Sequence, residues 1–297
     1  MTRIPDYNSP ANAFLLLKDL NLPEEESRYL IAASLEGLWD QKRVDAYLME
    51  VRPVISSVKD VVAKEYYLSP RVASPDEDMD YLASVRTYVA ALLISSENYL
   101  RNGKNREEGL LRLKHVIALV KMMNEYPSCF LELLVVQANI GRVSDMLVHL
   151  RDMKIISEEE FLSLVQEAGD MQLDPKGLYS ALIGEGRMLT FLADGLRNGT
   201  IRERDLQGML GVNDQQLYYS LKFVNAQKIS SVLDSEFASI LKAYMTGSNY
   251  KQDFSLYRDL TPSDVLFLQY FLTPAQKLLP KIKSSYQKTV FMQTGKK

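Results

Sequence analysis

Apolar residues recur every three to four positions along nearly the whole chain, the spacing of one buried face of an α-helix. Ser9-Pro10 reads as a cap followed by proline in the first turn, opening a helix over Ala11 to Leu20. Pro23 with Glu24, Glu25 and Glu26 opens the next, with carboxylates at the positive end of the helix dipole, and it should run to about Asp40. A third is expected from Val44 to Tyr67, kinked or broken at Pro53. After a connection over Leu68 to Ala73, Ser74-Pro75 starts a long helix ending at Asn102-Gly103. Leu82, Val85, Val89, Leu92, Leu93 and Tyr99 form its apolar face. Its partner runs from Arg106 to Glu125. Pro127 stops that helix and begins another, which Gly141 interrupts before an end near Asp152.

The second half continues in the same way. Ser157-Glu158-Glu159-Glu160 has the form of a capping box. Asp174-Pro175 starts a helix that ends at Asn198-Gly199, and Thr200-Ile201-Arg202-Glu203 reads as a second capping box. A short helix to Leu210, a turn at Gly211 and a helix from Asp214 to Ala226 follow. Leu233 to Met245 and Pro262 to Tyr286 are also expected to be helical, separated by a polar loop over Thr246 to Asp253. Gly295-Lys296-Lys297 reads as a frayed tail. No alternating run marks a strand. The expected fold is all-α: antiparallel helical hairpins or a bundle of irregular helical-repeat character, with no substantial sheet. Residues 1–297 are read as a single helical domain, with a subdivision into 1–172 and 173–297 as the alternative.

Composition narrows the chemistry. The 297 residues carry a net charge of −3, which does not supply the cationic field that generic nucleic-acid binding needs. The single cysteine, Cys129, lies in the apolar run Cys129 to Leu134 and reads as a buried small hydrophobe. His115 and His149 are the only histidines, and their spacing matches no metal-ligand pattern. No catalytic residue, cofactor or metal is therefore expected. The best uncharged runs, Thr87 to Ser96 and Leu133 to Gly141, are about half the roughly 20 residues that a membrane span needs.

Three features stand out against this background. Glu185 interrupts the stripe Leu178, Leu182, Leu189 and Leu192, flanked by Gly184 and Gly186, and Arg86 interrupts another stripe in the same way. Both are expected to be mostly buried, each against an opposite charge or several backbone groups. A carboxylate enzyme site around Glu185 is the competing reading. Residues 202–229 resemble a helix-turn-helix, with Gln227-Lys228-Ile229 leading into a wing, and are similar to the winged-helix part of PCI domains. Only Lys222 precedes Lys228 as a cation on the second helix, so nucleic-acid contacts are poorly supplied. Tyr66-Tyr67 and Tyr218-Tyr219 place adjacent rings on different helix faces, so one of each pair should be exposed and suited to a partner surface.

Several segments together resemble a broad bacterial family of uncharacterised helical proteins, whose members commonly have an N-terminal membrane segment and an extracytoplasmic domain. They are Pro5 to Ala13, Leu111 to Pro127, and Leu173-Asp174-Pro175 through Gly184-Glu185-Gly186-Arg187 to Leu196-Arg197-Asn198-Gly199. The resemblance implies a helical extracytoplasmic domain and no activity, cofactor or catalytic residue. This chain departs from it by lacking an anchor and by stopping where relatives continue into a tyrosine- and proline-containing tail. It is expected to be soluble as given, extracytoplasmic if an upstream anchor has been removed and cytoplasmic otherwise. The expected role is a non-enzymatic protein-interaction or scaffold domain with a protein partner.

Overall fold

The computed structural model describes residues 5–70, 79–103, 105–169, 171, 175–205, 215–246, 248 and 253–269. Among these the fold is all-α, as the periodicity predicts. The one β-type pairing among them is an isolated bridge between Asn12 and Tyr66. The helices are α1 (Phe14–Leu17), α2 (Glu24–Leu35), α3 (Gln41–Ile55), α4 (Val58–Val62), α5 (Asp80–Asn102), α6 (Arg106–Glu125), α7 (Phe130–Asp152), α8 (Glu158–Ala168), α9 (Pro175–Asn198), α10 (Gln215–Leu221) and α11 (Ala226–Thr246). A 3-10 turn at Phe254–Tyr257 and helical residues 262–269 follow.

The first departure from expectation is at the N-terminus, where α1 has a single turn. Asn12 diverts the chain by tertiary hydrogen bonding. Its side-chain amide donates to the carbonyls of Tyr7 and Leu68, and its oxygen accepts from the amides of Phe14 and Leu68. The Ala13 amide donates to the Tyr66 carbonyl. Residues 66–68 are thereby held extended, not helical. Tyr66 and Tyr67 are consequently both buried, where one was expected to be exposed. Phe14 stacks edge-on against Tyr67 and Tyr81.

Helix α2 stops at Leu35, before the expected Asp40. Gly37 takes φ +77°, and the Gly37 and Leu38 amides return to the Ser34 and Ala33 carbonyls as a closing turn. Asp40 instead caps α3 through the Arg43 amide. Pro53 lies inside α3, which ends two residues later at Ile55. Helix α7 begins at Phe130, three residues after Pro127, and Gly141 does not interrupt it. The Ser157–Glu160 capping box is formed on both sides. The second proposed box is displaced. Thr200 turns back to the Asn198 side chain, and Asp205 accepts from the Arg202 amide.

Helix α5 is enclosed instead of presenting one face. Every residue from Thr87 to Glu97 is buried, because α2, α3, α6 and α7 all pack against it. Each fully buried aliphatic side chain contributes about 1.5–3 kcal/mol, so this helix anchors the N-terminal core. That core is built from α1 to α8. A second core joins α9, α10, α11 and residues 267–268 to Phe130 and Leu133 at the start of α7. The contact is close because α9 presents glycine there. A Cβ on Gly184 would lie 1.6 Å from the Ser128 carbonyl oxygen, and one on Gly177 would lie 2.2 Å from that of Asn124.

Candidate functional site

A groove of about 880 Å³ lies between α9 and α11. The two helices pack side by side over Leu182, Leu233 and Phe237, and then leave Tyr179, Ile183, Ala238, Leu241 and Met245 along an open apolar trough. Met245 is 67% exposed. Arg187, Asp234 and Lys242 stand exposed on the rim. The helical period explains the arrangement. Residues 185, 189 and 192 turn toward the core, 183, 186, 187 and 190 turn toward the groove, and Leu182 lies at the boundary on the groove floor.

Glu185 is buried, as expected, and does not line the groove. It faces the first turn of α7, where the Phe130 amide donates to it. Among the described residues no cation pairs with it. Burial pushes its carboxyl up to about 7, against the partial opposition of the Phe130 amide. The expected opposite charge or set of backbone donors is thus replaced by a single amide. The glycine at 184 seats α9 directly on this turn, its Cα facing the Ser128 carbonyl.

Arg86 meets its expected opposite charge but not its expected burial: it pairs with Glu24, which also binds Arg28 at 2.7 Å, and stays about one-third exposed, 33%. Arg86 and Glu185 therefore serve different parts of the molecule. A second buried carboxylate, Glu132, was not anticipated. It is fully buried in the first turn of α7, accepting from the Ser128 amide at 2.5 Å and the Ser69 hydroxyl at 2.6 Å. Burial raises its pKa, with those donors opposing the rise. The adjacent Cys129 thiol is pushed up to about 11, again mainly by burial, so it is a packed hydrophobe and not a nucleophile. The signal for Glu132 was a lone carboxylate inside the apolar run from Cys129 to Leu134.

A third polar cluster ties α2, α5 and α7 together. Glu97 is fully buried. It accepts from the Ser34 hydroxyl at 2.5 Å and from Arg101 Nε at 2.8 Å, and it lies 3.3 Å from His149 Nε2. Serine, histidine and glutamate here do not form a nucleophile relay. The hydroxyl donates to the carboxylate instead of the imidazole, and Ser34 is fully buried. Arg101 neutralises Glu97 and lies over the Trp39 ring at 4.7 Å.

The helix-turn-helix reading is altered where it can be followed. Residues 206–214 lie outside the described residues. Helix α10 ends at Leu221, and Gln227-Lys228-Ile229 form the first turn of α11 instead of a wing. Asn225 caps that turn, accepting from the Gln227 and Lys228 amides. Lys222 lies over the rings of Tyr218 and Tyr219, and Tyr219 is the exposed member of its pair. The described residues contain no group of three or more metal-ligating side chains. No helix among them is long and apolar enough to cross a membrane. No family model, curated protein or solved structure matches this chain, so its functional reading rests on the geometry of these sites.

Proposed function

We propose that this chain is a non-enzymatic protein-interaction domain whose α9–α11 groove receives an amphipathic helix of a partner protein, apolar on one face and carrying carboxylates along its edges. The observation that carries this reading is the groove itself: an open apolar trough long enough for successive helical turns. It is bordered by Arg187 and Lys242, two exposed cations with no carboxylate in ion-pair contact among the described residues. An acidic amphipathic helix would cover the apolar floor and meet both rim charges, with Asp234 setting its register by repulsion. The chain's own residues 270–297 carry six lysines and no acidic residue, so they complement this rim poorly.

Fluorescence anisotropy tests the proposal with two synthetic helical peptides of about 15–20 residues, both leucine-faced, one edged with glutamate and the other with lysine. The glutamate peptide should bind the full chain at least about ten-fold more tightly, a difference of about 1.4 kcal/mol. Ala238→Arg should fill the trough and abolish binding, and Arg187→Glu with Lys242→Glu should reverse the preference. Equal binding of the two peptides, or an Ala238→Arg variant that binds like the parent, would overturn it.

A further inference from the structure

Three arginines from three helices meet at a hollow of about 240 Å³ in the N-terminal half: Arg28 of α2, Arg86 of α5 and Arg142 of α7, with Glu24, Ser27 and Thr87. Glu24 is the one carboxylate among the described lining residues. Arg28 and Arg86 both donate to its Oε1. Arg142 has no carboxylate within ion-pair distance among the described residues. Its Nη1 donates only to the Arg86 carbonyl at 3.3 Å and to the Asn139 side-chain oxygen at 3.5 Å.

Three positive charges therefore face one negative charge, with Arg142 and Arg86 partly buried and Arg28 exposed at the mouth. Arg142 registers the imbalance, its pKa being lowered by burial first and then by Arg86 and Arg28, with Glu24 opposing. Packing alone does not call for such an arrangement, because a neutral side chain of similar length at 142 would fill the same volume without repulsion. Guanidinium groups offer planar pairs of N–H donors that match the oxygens of a tetrahedral or carboxylate anion, and they keep their charge at any physiological pH.

We propose that this hollow is a binding site for a compact dianion of the phosphate class, held by Arg142 with Arg28 and Arg86. The volume admits inorganic phosphate or a small phosphate monoester and is below the usual range for drug-sized or nucleotide ligands, about 300–1,000 Å³. Glu24 acts as the resident counter-ion that the dianion displaces from the two outer arginines.

Isothermal titration of the full chain with inorganic phosphate, at ionic strength held constant with sodium chloride, tests the site. One phosphate per chain is expected. Arg142→Met should weaken it at least ten-fold, and Arg142→Lys, which keeps the charge but loses the planar donor pair, should fall between. Glu24→Gln should tighten binding several-fold by releasing two guanidinium groups. Circular dichroism establishes that each variant is folded. If the Arg142 variants do not fold, the Glu24→Gln titration decides alone. Absence of phosphate-specific heat, an Arg142→Met variant that binds like the parent, or weaker binding by Glu24→Gln would overturn the proposal. Tighter binding of malonate than of phosphate would overturn the choice of anion.

Discussion

Replacing Glu185 with glutamine should stabilise this protein at alkaline pH, a gain that disappears in acid. The carboxyl titrates at about 7 in the fold, compared with 4.5 for the unperturbed group. Each pH unit between those values is worth about 1.4 kcal/mol, so ionising Glu185 in place costs about 3 kcal/mol relative to ionising it in the unfolded chain. The sign follows from proton binding. Below pH 4.5 the group is protonated in both states and costs nothing. As the pH rises from 4.5 through 7, the unfolded chain releases its proton more readily, and stability falls. Glutamine keeps the shape and can still accept from the Phe130 amide, but its NH2 group must find an acceptor in the same pocket. The net gain at pH 8.5 is therefore about 1–3 kcal/mol. Urea unfolding of parent and variant at half-unit intervals from pH 4 to pH 8.5 measures the difference directly. Glu132 titrates in both proteins, so subtraction isolates Glu185. A difference that does not change with pH would refute the burial argument. A variant less stable than the parent at pH 8.5 would indicate that Glu185 is ionised and partnered after all.

Two glycines give opposite expectations from the same substitution. Gly184→Ala drives a methyl group into the Ser128 carbonyl and should cost about 3 kcal/mol or more; a melting temperature equal to the parent's would mean that α9 does not seat on that turn. Gly141→Ala meets no atom within 4 Å in the middle of α7 and should add about 0.5–1 kcal/mol in chemical denaturation, whereas a loss would place an unseen constraint there.

How much of this was legible in the sequence depends on where each determinant lies. Helix ends set by local chemistry, such as the Ser157–Glu160 box and the Asn198-Gly199 stop, could be read directly, because both partners are within a few residues. The single-turn α1 could not, because Asn12 is satisfied by Leu68, 56 residues away. Burial of Glu185 was legible from its stripe. Its missing cation was not, since that depends on which turn α9 seats against. Glu97 was not legible, because Ser95-Ser96-Glu97-Asn98 has the composition of a solvated face. Its burial arises only when α2, α6 and α7 close around α5. The groove was illegible for a related reason: α9 read as one stripe, and nothing in its own sequence says that α11 covers only part of the opposite side.

The division of α7 between two cores bears on how the chain is made. Its later residues, from Val136 to Leu150, belong to the N-terminal core, which can assemble as soon as the first eight helices have emerged from the ribosome. Phe130 and Leu133 lie on the same helix but, among the described residues, join the second core, with α9 and beyond. A nascent chain halted before Pro175 would thus hold a folded bundle with two large apolar side chains uncovered at one corner. That corner is where a chaperone would engage first and where two stalled chains would stick to each other.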